Sequence, residues 1–196
     1  MPIDISEIQS LLESLAETAK HLRDTQTLSE KQRQELALTA EKVAIAAREP
    51  EENVYHIATQ IAQNAALRSA IAMGAFEAIP SDGTSISATT LAQELHVNKD
   101  LLVRILRACS STHILLETSD STYAHNALSR AYLTRENRDM MSQMYDFTCK
   151  GVFALPEFGV RTSWQSNGTY DDGPFQVGAG TELGFWEYLK EDPERM

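Results

Sequence analysis

From Ile5 to Leu22 the apolar side chains Ile5, Ile8, Leu12, Leu15, Ala19 and Leu22 follow one another at intervals of 3, 4, 3, 4 and 3. That rhythm tracks the 3.6-residue turn of an α-helix and draws one narrow apolar stripe. A strand would need its apolar residues at every second position. Asp4, with Glu7 three residues later, stands in a capping-box position. Thr25–Thr27 interrupts the pattern. Ser29 then caps a second helix over 30–48, carrying Leu36, Ala40, Val43 and Ala47. Pro50 ends that helix or opens a third over 51–73, with Val54, Ile57, Ile61 and Ala65 on one stripe and Gly74 as its C-cap. A chain that opens on three amphipathic helices must bury their stripes against other helices. The first stripe serves as a core face or, through Ile5, Ile8, Leu12, Leu15 and Leu22, as a dimer seam; it is too short for a long coiled coil.

The pattern changes after residue 85. Ile86 begins a short extended piece, and Ser87 or Thr89 caps a helix ending at Leu95. His96–Asn98 makes a tight break before a second helix, Lys99 to about Ser111, with Leu101, Leu102, Ile105, Leu106 and Cys109 at helical spacing. The β-prone runs His113–Thr118 and Thr122–His125 then flank the polar turn Ser119-Asp120-Ser121, a hairpin signal. Helix, turn, helix and hairpin make the pattern of a winged helix. Further on, Met140, Met141, Met144, Tyr145 and Phe147 fall on one more helix. The stretch from Gly151 to Gly184 holds seven of the nine glycines together with Pro156 and Pro174, and reads as loop-rich before helical character resumes at Phe185.

Charge limits the partners. The net charge is −11, which disfavours nucleic acid and anionic membrane. Residues 89–135, with 5 basic and 4 acidic side chains, are almost neutral between two acidic flanks. Lys99, Arg104 and Arg107 are the cations a DNA-reading helix would use, too few to outweigh those flanks. No apolar run approaches the ~18 residues of a membrane span. The acidic start lacks the basic and apolar regions of a secretory signal, and two cysteines, Cys109 and Cys149, fit a reducing compartment. The expected location is cytoplasmic.

No catalytic machine is legible. Cys109 and His113 share a helical face, but two ligands do not make a metal site. His21, His56, His96 and His125 have no acid–base partner at close spacing. Gly178-Ala179-Gly180-Thr181-Glu182-Leu183-Gly184 misses the dinucleotide fingerprint by one residue and follows no buried strand, so it reads as a loop leading into a helix. Ten of the fourteen aromatics fall between Tyr145 and Tyr188. They form a second core or the wall of an apolar ligand pocket, which aromatics and methionines line well.

The stretches LRSAIAMGAFEAIP, LAQELHVNKDLLVRILRACSSTHIL and TYAHNALSRAYL resemble the N-terminal region of fungal secondary-metabolite O-methyltransferases that use S-adenosylmethionine. LPEFG and GPFQVGAGTELGFWEYLKEDPERM resemble the segment that precedes their catalytic domain. The resemblance covers about residues 50–196 and implies a mainly α fold, with a helical dimerisation region over 1–84 and a winged helix with a small β-hairpin over 85–135. Over 136–196 it implies a substrate-wall helix and a loop-rich linker toward a Rossmann-like domain. It also implies phenolic or polyketide-type substrates, a homodimer or a heterodimer with a related methyltransferase, and an apolar aromatic small molecule as ligand. The implied substrate wall is Met140, Met144, Phe147, Phe153, Phe175, Thr181 and Trp186. The glycine-rich donor motif Asp-x-Gly-Gly-Gly-x-Gly, the acidic residue for the donor's ribose and the base histidine have no counterpart in this sequence. The expectation is therefore a chain truncated before the donor site. No catalytic or donor-binding residue carries over, S-adenosylmethionine is not expected to bind, and the chain should be inactive alone.

Overall fold

A computed structural model describes residues 5–165, 169 and 172–191, in two compact units, 1–60 and 61–196. The first unit comprises α1 (Ile5–Thr25), α2 (Glu30–Ala46) and the part of α3 (Pro50–Ala72) up to Gln60. Asp4 and the Glu7 side chain lie outside what is described. Ser29 caps α2 reciprocally: its Oγ accepts the Gln32 N–H at 3.3 Å, and Gln32 Oε1 accepts the Ser29 N–H at 3.0 Å. α1 packs on α2, and the stripe read from spacing divides. Ile8, Leu15 and Leu22 are half-buried, as is Leu11, whereas Ile5 and Leu12 are 71% and 49% exposed. A strict seven-residue repeat drifts by about 20° per heptad around a straight helix, so Leu11 takes the inner place beside Leu15. None of the residues described between 5 and 60 is fully buried, and Leu38, Ile45, Val54, Tyr55 and Ile57 are all exposed.

The second unit runs from Ile61 through α4 (Ala75–Ala78), β1 (Ile86–Ser87), α5 (Ala88–Glu94), α6 (Lys99–Ser111), β2 (Leu116–Ser119) and β3 (Thr122–Ala124). A 3-10 turn (Ser129–Leu133), α7 (Arg135–Gln143), a π turn (Met144–Thr148), α8 (Cys149–Arg161), α9 (Pro174–Ala179) and α10 (Phe185–Lys190) follow. Gly74 separates α3 from α4 at φ 72°, a conformation glycine takes without strain. Of the two caps the sequence offers for α5, Ser87 serves, its Oγ accepting the Thr90 N–H at 3.1 Å, and Asn98, at the end of the tight break, caps α6, its Oδ1 accepting the Leu101 N–H at 2.9 Å. The hairpin gains a third strand, because the extended piece at Ile86 pairs with it. β3 is central and antiparallel to both neighbours, with Ile86 opposite Tyr123 and Leu116 opposite Ala124. A bulge between Glu117 and Ser119 bends β2.

One apolar cluster unites these elements: Leu67 and Ile71 of α3, Phe76 of α4, Leu91 of α5, Leu102, Leu106 and Cys109 of α6, and Tyr123 of β3. Its polar lining is satisfied at His125, whose Nε2–H donates to the Phe76 carbonyl at 3.0 Å, while Nδ1 accepts from the Ser129 hydroxyl at 2.9 Å. The histidine thus serves as a structural tie between α4 and the 3-10 turn.

The glycine-rich stretch differs from its loop reading. Gly151, Pro156 and Gly159 lie inside α8, and Gly178 inside α9. Gly151 and Gly178 mark close approach between helices, and Gly159 leaves room for the Trp164 ring. A Cβ on Gly178 would stand 2.0 Å from the Lys150 carbonyl oxygen, and one on Gly151 3.1 Å from the Phe175 Cα. Gly180–Gly184, between α9 and α10, and Gly173, just before α9, keep the loop character expected of them.

Replacing Leu106, fully buried, by alanine is expected to cost about 2–5 kcal/mol of stability, read by urea denaturation. Gly178→Ala is expected to cost about 1–3 kcal/mol by forcing α9 off α8, with loss of near-ultraviolet circular dichroism from the aromatics around α10.

Candidate functional site

A groove of about 260 Å³ lies within the second unit. Ile61 and Asn64 of α3 form one wall, Met141 of α7 with Met144 and Tyr145 of the π turn the second, and Cys149, Val152 and Phe153 of α8 the end. The spacing explains the walls. Ile61 and Asn64 are one helical turn apart, as are Cys149, Val152 and Phe153, so each set shares a face. The π turn matters because an extra residue per turn re-aims the side chains after it. The lining is apolar apart from the Asn64 amide, the Tyr145 hydroxyl and the Cys149 thiol, a set suited to orienting a largely apolar molecule. A second hollow, of about 340 Å³, is lined by Ala131, Tyr132, Asn137, Met140, Met141 and Met144.

Beside the groove, one turn beyond Asn64, Arg68 meets Asp146 of the π turn in a bidentate pair. Arg68 Nε–H lies 3.1 Å from both carboxylate oxygens, and Nη2 lies 2.6 Å from Oδ2. Both side chains are partly screened from solvent, 22% and 36% exposed. A fork-to-fork pair of this kind fixes orientation as well as distance. Farther along, Arg138 pairs with Glu77 at 2.8 Å and donates to the Tyr132 carbonyl at 2.7 Å, holding α7 to α4 and the 3-10 turn.

The structure separates the seven residues of the expected substrate wall. Met144 and Phe153 line the groove, and Met140 lines the second hollow with Met144. Phe147, Phe175 and Trp186 belong instead to an aromatic cluster. Phe175 meets Phe185 edge-on at 5.1 Å and Tyr188 at 5.4 Å, Phe147 meets Tyr188 at 6.5 Å, and Trp186 meets Phe185 at 5.2 Å. Lys150 Nζ lies 3.2 Å from the Tyr188 hydroxyl and 5.4 Å from the centre of that ring, a cation–π contact joining α8 to α10. Thr181 closes its own loop, its hydroxyl accepting the Leu183 N–H at 3.1 Å. Tyr170 lies outside the described residues. Ile61, Asn64, Cys149 and Val152 were not anticipated; each carries only an intrahelical signal, and the groove brings together residues of α3 and α8 that are distant in sequence.

Elsewhere the chemistry is committed. Arg107, one of the cations considered for DNA, donates to Glu117 at 3.0 Å and is paired with Asp120 as well. The guanidinium holds the Glu117 carboxyl below the ordinary carboxylate range. Among the described residues no group of three or more His, Cys, Asp or Glu side chains could hold a metal ion, and no helix is long and apolar enough to cross a membrane. Cys109 is buried and its thiol is pushed up to about 11; Tyr123 is pushed up to about 12, in both cases chiefly by burial.

Residues 55–135, from α3 to the start of α7, match the family model described as the O-methyltransferase dimerisation domain. The chain carries an O-methyltransferase dimerisation domain. An O-methyltransferase of Pestalotiopsis microspora is 42% identical over 196 residues, which is 100% of this chain and 48% of that protein. The O-methyltransferase kntB of Aspergillus niger is 32% identical over 98% of this chain and 50% of its own length. Among solved structures, OxaC in complex with SAH and oxaline aligns with a TM-score of 0.84 at 22% identity, over 96% of this chain and 48% of that one. LepI in complex with SAM aligns with a TM-score of 0.82 at 20% identity, over 94% and 48%. These two likenesses show the fold. The chain spans about half the length of the curated relatives it matches. The dimerisation domain supplies Ile61 and Asn64 to the groove, and the remaining lining residues follow it in sequence.

At neutral pH, iodoacetamide is expected to alkylate Cys149 and spare Cys109 until the protein unfolds, as read by intact mass. The folded state keeps the Cys109 proton to higher pH than the unfolded state does. Stability should therefore hold below about pH 9 and fall as pH rises toward about 11, with Tyr123 extending the decline. Denaturant titration of Cys109→Ala should show a shallower fall over pH 9–11.

Proposed function

We propose that this chain is the dimerisation and substrate-side portion of a secondary-metabolism O-methyltransferase. On this reading it is cytosolic, and it pairs with a second copy or a related full-length enzyme. The observation that carries the proposal is the matched dimerisation domain, residues 55–135, together with a helical segment before it in sequence that has no core of its own. The described residues of 5–60 contain no fully buried side chain, while Ile5 and Leu12 of α1, and Leu38 and Ile45 of α2, stand exposed at seven-residue spacing. Helices of this length draw most of their stability from packing an apolar face, so the exposed pairs call for a protein partner.

The residues present do not fit S-adenosylmethionine. A donor site of the Rossmann type needs a glycine-rich turn after a parallel strand and a carboxylate for the ribose hydroxyls. The sheet among the described residues is three short antiparallel strands, and neither hollow has an acidic side chain in its lining. Methyl transfer on this reading draws its donor-binding fold from outside these 196 residues. The groove contributes an apolar wall against which a phenolic or polyketide-type substrate would lie.

Light scattering of the chain at tens of micromolar is expected to show a dimer, and Leu12→Asp with Ile45→Asp to give a folded monomer. Calorimetric titration with S-adenosylmethionine is expected to show no binding at micromolar strength. A parent chain that is strictly monomeric, or one that binds the donor tightly, would overturn the proposal.

A further inference from the structure

The Arg68–Asp146 pair does more than join α3 to the π turn. Arg68 stands one helical turn from Asn64, and Asp146 directly follows Tyr145, so the pair borders the groove on both walls. An unpaired guanidinium at this edge would draw anions into the groove, since a charge beside low-dielectric walls acts over several ångströms. Asp146 cancels it. Cations of α7 and α8 are paired as well, Arg135 with Asp139 at 3.1 Å, Arg138 with Glu77 at 2.8 Å and Arg161 with Asp172 at 3.0 Å, while Lys150 is directed to α10, its Nζ 3.2 Å from the Tyr188 hydroxyl. The groove lining itself holds no charged residue.

We infer that the Arg68–Asp146 ion pair is the selectivity element of the groove, neutralising its edge so that it admits uncharged aromatic molecules and disfavours carboxylated ones. This rests on the reading of the groove as a substrate-side wall. Arg68 is a positioning and charge-setting residue, and Asp146 is the residue whose removal changes ligand class. The Asp146→Asn change keeps the shape and a hydrogen-bond acceptor while exposing the Arg68 charge. The Arg68→Gln change leaves an uncompensated carboxylate instead.

Cys149 lies in the groove and reports its charge directly. The rates at which iodoacetate, an anion, and iodoacetamide, its neutral counterpart, alkylate Cys149 are measured by intact mass on the full chain. Their ratio is expected to rise about fivefold in Asp146→Asn, the size of one uncompensated charge at a partly solvated surface. It should fall by a similar factor in Arg68→Gln and return to the parent value in the double variant. Added salt should compress all these differences. Alkylation of the buried Cys109 identifies any variant that has unfolded, and either single variant is sufficient, since the two move the ratio in opposite directions. In the second arm, 2-naphthol is expected to protect Cys149 from iodoacetamide in the parent and 2-naphthoate is not; in Asp146→Asn the naphthoate should protect as well. A ratio unmoved by either substitution overturns the inference. A ratio that shifts while neither naphthalene protects Cys149 in the parent overturns the pocket reading, and with it the ligand class.

Discussion

Burial of one stripe of α6 underlies everything else in the second unit. Leu102, Leu106 and Cys109 are almost wholly removed from solvent and join Leu91, Phe76 and Tyr123 in a single cluster. Through that cluster α3, α4, α5 and β3 acquire fixed positions. At roughly 25 cal/mol per Å² of apolar surface, a few such side chains outweigh any surface ion pair in the molecule. The groove depends on this order, because Met141 of its second wall packs against the same cluster while Ile61 and Asn64 extend from the helix that enters it.

The polar contacts then decide geometry more than stability. His125 ties the 3-10 turn to α4, Arg138 ties α7 to α4, and Arg68 ties the π turn to α3. Each joins segments far apart in sequence. Partly exposed pairs contribute little net free energy, yet a bidentate or multiply bonded arrangement selects one orientation from several that the apolar core alone would tolerate.

Legibility in the sequence followed the range of the forces involved. The cap at Ser29, the helix at Lys99–Ser111 and the turn between β2 and β3 rest on neighbours a few residues apart and were readable, as was the α5 cap to within Ser87 or Thr89. Gly151 and Gly178 were misleading because a glycine that admits a loop also admits a neighbouring helix, and only the helix across from it distinguishes the two. The same limit separated the expected wall. Met144 and Phe153 reach the groove, while Phe147, Phe175 and Trp186 join the aromatic cluster, a partition governed by the packing of α8 on α9 and of the rings around α10. Along α1, spacing left open which side of the stripe turns inward; Leu11 lies inward with Leu15, and Leu12 stays exposed.

The π turn at Met144–Thr148 has a consequence for how such a protein can vary. An α-helix advances about 100° per residue, so losing one residue there would rotate everything downstream by that angle. Cys149, Val152 and Phe153 would leave the cleft together, and a different set of α8 side chains would take their place. The pocket's lining is therefore under the control of chain length at one turn as well as of residue identity. A single-codon deletion would exchange several lining side chains at once, in a step that no series of point substitutions reproduces.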